Sequence, residues 1–584
     1  MVVSESPVHP RRPTSTATEE KAANYDGQQG PEHKPTLRGM FSTTTSSKHE
    51  TKRAMQSRHL MMIAIGGTIG TGIFLSAGSA IALAGPASAL LSYVVVGVFV
   101  YAVVITLGEM AAMFPVSGAF SVFGSRFVSP ALGFTLGWNY WLQWSLSIPS
   151  ELTAAAVILQ VMIPPVGLVI IVPVFVMQLI HVRIYGESEY WFASIKVVMI
   201  ILFIIVGLIY DWGGVKGHPG PGRSNFQNGQ AFIGGFANFA QTFVYAFYSF
   251  GGVELVAVAA GESDRPWKAV PTAVKATFFR IVLFYVLTIL TIGLCINWQD
   301  PTLLRAASSS DVTASPLTVV FQRAGFGAAV HIVNAVLLTA VLSATNSAFY
   351  GSSRMLYALA RMGQAPRIFG WTNKNGVPVP ALFMSLAMSF LAFLTTIWGQ
   401  GIVFTWLLNL TGISALLVWG SIGLISLRFR VAWKAQGRPL SDLPYTQPCY
   451  PLLPIGVVVL ALLLFIAEGY SAVELQPFSA RNVVATYIGV VLYVVLYVGY
   501  VAYERFVLGK RTHLVPLLEV DLETDAAWKL GDAVRFREEE ESYKVEVTLE
   551  PTRREAEESI ILCRNPVTPR QQQCSARNIV SVAV

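Results

Sequence analysis

Residues 60–84 read L-M-M-I-A-I-G-G-T-I-G-T-G-I-F-L-S-A-G-S-A-I-A-L-A and carry no charge. A helix needs about 20 apolar residues to cross a bilayer core, so this stretch is long enough. Its middle holds Gly66, Gly67, Gly70 and Gly72, with Thr68 and Thr71 between them. Each glycine inside a helix costs ~1 kcal/mol relative to alanine, so four together predict a helix that breaks within the membrane. Peptide groups freed there are tolerated only against protein or a water-filled cavity. A place of this kind suits a small charged solute, and the stretch is read as a substrate site.

Of 584 residues, 53% are hydrophobic and 13% charged, where a soluble domain carries about 25% charge. The composition predicts an all-α, polytopic membrane protein in a lipid bilayer. A net charge of +7 reflects the cytoplasmic excess of Lys and Arg usual in such proteins, not a nucleic-acid partner. Cys295, Cys449, Cys563 and Cys574 are scattered, without the spacing of a metal site or a disulfide framework. The first apolar run begins near residue 60, so the first span, not a cleavable signal peptide, is expected to direct insertion.

Residues 1–57 are polar and rich in Ser, Thr, Pro and mixed charge, which predicts a disordered tail. About twelve apolar spans follow within 58–506, at roughly 60–83, 86–108, 131–162, 166–182, 190–210, 231–260, 277–297, 329–360, 378–398, 402–427, 452–470 and 483–506. Threaded from a cytoplasmic N-terminus, the inner loops collect Arg126, Arg183, Arg265, Lys268, Lys275, Arg361, Arg367, Lys374, Arg428, Arg430, Lys434 and Arg438. The outer loops hold only Lys216, Arg223, Arg305 and Arg481, plus Arg323 in a short amphipathic segment. This alternation supports the even count and places both termini in the cytoplasm. Trp and Tyr near many span ends, Trp138, Trp141 and Trp144 among them, fit interfacial enrichment. Residues 507–584, with R-E-E-E-E at 537–541, are read as a solvated cytoplasmic tail where regulatory proteins could act.

The sixth span is overlong too, with Ser249, Phe250, Gly251 and Gly252 past its centre and Glu254 just after. Two glycine-interrupted helices thus open two five-span units, the pattern of an inverted-repeat transporter with its site between the breaks. GxxxG packing of continuous helices is the competing explanation. A half-helix N-terminus suits a carboxylate, and freed carbonyls suit an ammonium group. A site with one of each binds a zwitterion such as an amino acid. The other role of a Gly-rich loop, cradling a dinucleotide, needs a preceding strand and an acid about twenty residues on. Here the flanks are uncharged span, and the next acid after Glu50 is Glu109.

R-H-L-M-M-I-A-I-G-G-T-I-G-T-G-I-F resembles the first span of the yeast amino acid transporter family, within the amino acid–polyamine–organocation superfamily. So do G-E-M-A-A-M-F-P-V-S-G-A-F (108–120), A-L-G-F-T-L-G-W-N-Y-W (131–141), S-F-G-G-V-E-L-V-A-V-A-A-G-E-S (249–263) and S-S-R-M-L-Y-A-L-A-R-M-G-Q-A-P (352–366). Parts of the second half, D-P-T-L-L-R (300–305), W-L-L-N-L-T-G (406–412) and L-P-Y (443–445), are similar to bacterial lysine permeases and fungal relatives; the long tails resemble fungal members. The resemblance implies the five-plus-five inverted repeat of the bacterial leucine transporter, with helices 1 and 6 broken. It also implies proton-coupled amino acid uptake at the plasma membrane, driven by the proton gradient and needing no cofactor. By motif position, Thr71 and Gly72, next to Gly70, would offer N–H groups to the substrate carboxylate. The Thr68 carbonyl and the backbone of Ser249, Phe250 and Gly251 would meet the amino group. Relatives often read G-T-E where this chain has Gly252-Val253-Glu254, which removes a hydroxyl near the pocket.

An ionisable side chain within a span costs ~3 kcal/mol, so each is a functional candidate. Glu254 could meet a substrate amine, carry a proton or brace the half-helices. Lys196 either snorkels to the interface or is the proton-binding lysine that superfamily members place in S-I-K-V-V-like sequence. Glu151 pairs with another span or contacts substrate, while Glu109 and Glu262 are read as interface or gate residues. Ser343, Asn346, Tyr350, Ser353 and Tyr357 share one helical face, and Asn409 and Thr411 are candidates for tuning specificity. The chain is therefore read as an amino acid:proton symporter working by alternating access, with cationic amino acids such as lysine preferred. A broad neutral or acidic range, a polyamine substrate, or a transport-deficient nutrient receptor are the alternatives. A channel would need rings of pore-lining side chains, and an enzyme a nucleophile–base pair or metal motif; neither pattern is present in the sequence.

Overall fold

A computed structural model describes residues 51–67, 69–159, 163–216, 219–308, 315–327, 329–474, 480–510 and 514–529. The first span starts as α1 (Ser57–Met62) and widens into a π-turn over Ile63–Gly67. Ile69 and Gly70 are not helical, and helix resumes at Thr71, running through a second wide turn at Gly72–Ser76 into α2 (Ala77–Ala84). Thr68 lies outside the described residues. The interruption is narrower than the glycine run, because Gly66 and Gly67 still fit the wide turn while Gly70 does not.

Next come α3 (Pro86–Met113), the short α4 (Ala119–Phe123), α5 (Pro130–Leu159), α6 (Ile163–Ile180) and α7 (Val182–Asp211). The second broken span is α8 (Gly235–Phe250) followed by α9 (Leu255–Ala260). Its ladder survives through Ser249 and Phe250, so those two residues close a half-helix rather than form the gap. The gap is Gly251–Glu254, where Gly252 has φ +89°, a value that glycine adopts without steric cost. The chain continues with α10 (Pro266–Cys295), α11 (Pro301–Ser308), α12 (Pro316–Arg323), α13 (Ala329–Arg361), α14 (Val379–Trp398), α15 (Gln400–Ala435), α16 (Leu452–Glu474) and α17 (Ala480–Phe506).

Among the described residues nine helices are long and apolar enough to cross a membrane. The broken first span, α5 with 30 residues and α6 with 18 stand beside them. Large apolar side chains point outward, including Val198, Leu202 and Ile205 on α7 and Val491, Val495 and Val498 on α17. Polar and ionised side chains turn inward, the arrangement a lipid solvent imposes. The only β pairing among the described residues is a parallel bridge between Met55 and Ser263.

Both tails begin differently from the sequence expectation. Within the expected disordered tail 1–57, Met55 is fully buried, and its N–H donates to Glu262 O at 2.9 Å. Arg53 donates to Pro115 O at 3.2 Å. Within the expected solvated tail 507–584, residues 514–529 pack on the helix ends. Val520 and Leu522 are buried, and Val515 N–H donates to Val128 O at 2.9 Å. Arg126 pairs with Asp525 at 2.9 Å, Arg438 pairs with Glu523, and Trp433 lies 6.0 Å from Trp528. Backbone pairing and a few apolar anchors hold these segments, neither of which net polarity reports. Burial alone would raise the Asp521 pKa, but hydrogen bonds from the Thr524 hydroxyl and N–H and the Glu523 N–H, with the Arg126 charge, outweigh it. The carboxyl is held below its ordinary range.

Candidate functional site

The two breaks touch. A Cβ placed on Gly72 would lie 2.6 Å from the Ser249 Cα, so only glycine lets the two backbones approach this closely. Beside them is a cavity of about 50 Å³ lined by Gly70, Gly72, Gly251 and Gly252 from the breaks, Gln143, Trp144, Ser147 and Glu151 from α5, and residues of α8, α13 and α15.

Glu151 is the carboxylate at this cavity. Its Oε1 accepts from the Thr71 hydroxyl at 3.2 Å and from the Tyr248 hydroxyl at 3.3 Å, and the Thr71 N–H also reaches it. A Cβ on Gly70 would sit 2.7 Å from that oxygen. The other oxygen, Oε2, is buried without a hydrogen-bond partner. A carboxylate thus caps the N-terminus of the second half-helix, where free N–H groups and the dipole favour an anion.

Glu254, offered above for substrate contact, is not among the residues lining the cavity. Its Oε2 accepts from Trp419 Nε1–H at 2.9 Å, which ties the second break to α15. Ser249 and Phe250 also lie behind the cavity. The Ser249 hydroxyl bonds Tyr93 at 2.8 Å, and the Phe250 ring stacks on Tyr285 at 4.0 Å.

Lys196 does not snorkel. It is fully buried and donates to Ile69 O at 2.8 Å, the carbonyl of the first break, and to the Ser343 hydroxyl at 2.8 Å. Glu262 pairs with Arg354 at 2.9 Å, both side chains fully buried, and accepts from Tyr350 at 3.0 Å. Glu109 is held by Arg430 through two bonds of 2.6 and 2.8 Å and by Gln447. The polar face of α13 turns mainly to α7 and to Glu262, while Ala344 and Ser347 line the cavity; so does Thr411, but not Asn409.

Three features escape the sequence reading. Trp144, taken as interfacial, is 6% exposed and lines the cavity. Arg280, fully buried on α10, donates to Ala64 O at 3.2 Å and to the Tyr285 hydroxyl at 2.9 Å, which in turn donates to Ser249 O at 2.9 Å. One side-chain pair therefore satisfies carbonyls next to both breaks. Glu189 is the third; its place seven residues before Lys196, on one face of α7, was the available signal.

Two broken helices, buried ionisable groups and peptide dipoles meeting at a small cavity inside an apolar bundle define a helical membrane transporter. The fold agrees with that of a solved structure, a variant of the Eremococcus coleocola manganese transporter. Its TM-score is 0.50 at 14% identity, covering 78% of this chain and 97% of that one. Residues 59–510 match the amino acid permease family, and the chain belongs to it. It is 43% identical to the lysine-specific permease LysP of Escherichia coli over 82% of this chain and 98% of that protein. It is 40% identical to the histidine permease HisP of Lactococcus lactis (82% and 99%), and 39% identical to the general amino-acid permease GAP2 of Candida albicans (77% and 77%). The protein is an integral membrane amino acid permease, and its work is transport, not catalysis.

Proposed function

We propose that this permease couples uptake of a cationic amino acid, lysine foremost, to proton entry at the plasma membrane, with both termini cytoplasmic. Twelve spans in two inverted five-span repeats plus two further helices fit the helix order. The substrate carboxylate goes to the N–H groups of Thr71 and Gly72, displacing the Glu151 oxygen that caps the Thr71 N–H without substrate, and the amino group to carbonyls freed at the breaks, with Thr68 and Gly251 as the positions to test. The observation that carries the reading is the Glu151 carboxylate, buried at the cavity beside the first break with one oxygen unpartnered. A buried carboxylate in that state is stabilised by a proton or by a cationic group. Likeness to LysP favours lysine.

A neutral or broad range is the second reading, favoured by the bonds that Thr71 and Tyr248 already make to the other Glu151 oxygen and by the nearly equal identity to HisP and GAP2. Labelled lysine uptake into vesicles, competed by unlabelled amino acids and polyamines, separates the two. Lysine and arginine competing at least tenfold better than leucine or glutamate supports the first, and equal competition the second. Uptake indifferent to external pH and to protonophores removes the proton.

A further inference from the structure

Beyond the substrate cavity, a second buried charge group has no assigned work. Glu189 on α7 is fully buried. Its Oε2 accepts from the Ser343 hydroxyl at 2.6 Å, and its Oε1 accepts from Asn346 Nδ2 at 2.9 Å. The same Ser343 oxygen accepts from Lys196 Nζ at 2.8 Å. Gln178 donates to the Asn346 side-chain oxygen at 2.9 Å, which orients the amide so that its NH₂ faces Glu189. The result is a directed chain, ammonium to hydroxyl to carboxylate, whose other end is the ammonium's bond to the Ile69 carbonyl at the first break.

We infer that Glu189 is the acidic partner of Lys196, sharing with it across the Ser343 hydroxyl the proton that accompanies the substrate. This rests on the proton-coupled reading above. The transfer conserves protons: Lys196 Nζ gives one to Ser343 Oγ as Ser343 gives its own to Glu189 Oε2. An ammonium–carboxylate pair becomes an amine and a carboxylic acid, with the hydroxyl restored. In the ionised form Lys196 holds the Ile69 carbonyl by a charge-assisted bond; in the neutral form that bond weakens. Proton position is thereby tied to the first break.

The other charges facing Lys196 are Arg280 on α10 and Glu151 on α5. Facing Glu189, besides Lys196, is the Tyr185 hydroxyl on its own helix. Tyr185 stacks on Tyr350, next to the Glu262–Arg354 pair. Glu151 takes its hydrogen bonds from Thr71 and Tyr248 at the cavity, and Arg280 repels an ammonium. Glu189, one hydroxyl away from Lys196, is thus the acid placed to balance it, and it acts through that lysine as a positioning residue.

The test uses the full chain in vesicles, with labelled lysine uptake followed against external pH. Glu189→Gln leaves Lys196 facing Arg280 without its acid, so half-maximal uptake moves to lower pH by about 1 unit or more. KM for lysine at the acid optimum stays within about twofold, because Glu189 does not line the cavity. Glu189→Asp restores most of the wild-type profile, which a purely structural role would not require. Ser343→Ala keeps both charges and removes the bridge, so the rate falls while the midpoint moves less.

A Glu189→Gln profile superimposable on the wild type overturns the assignment. If Glu189→Gln gives no transport at any pH, Ser343→Ala decides, and an unchanged rate and profile in that variant overturns it. Wild-type uptake indifferent to pH fails the proton-coupled reading itself, and this assignment with it. A pH-driven wild type with an unshifted Glu189→Gln fails this assignment alone.

Discussion

Replacing Gly72 by alanine probes the contact between the two breaks directly. The added Cβ would stand 2.6 Å from the Ser249 Cα, 3.0 Å from its Oγ and 3.1 Å from its N, where ordinary contact begins near 3.4 Å. The half-helices must therefore separate by about 0.8 Å at this point. Trimming Ser249 to glycine does not relieve the conflict, because the nearest atom belongs to the backbone. Overpacking of a tight interior costs about 1–3 kcal/mol. If that falls on the state in which the breaks close on substrate, affinity drops roughly 5- to 150-fold, at 1.4 kcal/mol per tenfold. The assay is labelled lysine binding to purified protein, with Gly456→Ala as control. Gly456 lies on α16 with nothing within 4 Å of its added Cβ. Wild-type affinity in Gly72→Ala, in a protein that inserts normally, would refute the idea that the breaks close on each other to hold substrate.

Tyr285→Phe deletes the hydroxyl between Arg280 and the Ser249 carbonyl. Leaving buried polar groups unpaired costs about 1–3 kcal/mol, so binding should weaken about tenfold without loss of insertion, as read by the same binding assay. Glu262→Gln strands the fully buried Arg354 guanidinium, at about 3–5 kcal/mol. It should lower the yield of monodisperse protein on size exclusion, and adding Arg354→Met should recover part of it. Truncation after 513 should lower the melting temperature in detergent relative to truncation after 529, because it also removes the buried Val520 and Leu522, about 3 kcal/mol or more of apolar burial. Because the folded pKa of Asp521 is lowered from its ordinary 3.8, chiefly by bonds from Thr524 and Glu523 in its own turn, its contribution to that turn is complete above that value and fades as pH falls through the lowered one. Protease sensitivity of the 514–529 segment should therefore be flat around neutral pH and rise only in acid.

The helical class, the membrane, the interruption of the first and sixth spans and the family were all legible in one dimension. Lipid demands long uncharged runs, glycine weakens a helix wherever it stands, and positive charge alternates between loops, so each signal is local. Lys196 and Glu151 could be singled out because a lone charge in an apolar run is conspicuous by itself. What each charge meets was not legible. The carboxylate at the cavity is Glu151 from α5, while the more conspicuous Glu254, one step past a break, ties the second break to Trp419.

Arg280, Tyr285 and Ser249 are brought together only by the packing of α10 against both broken spans. Trp144 looked interfacial because aromatic residues near span ends usually are; the packing of α5 beside the two breaks puts it on the cavity instead. Where the backbone fails as a helix follows from the residues at the failure alone. Which side chains satisfy the peptide groups so released was decided by the tertiary structure alone, because those partners sit on other helices, up to some 200 residues away along the chain.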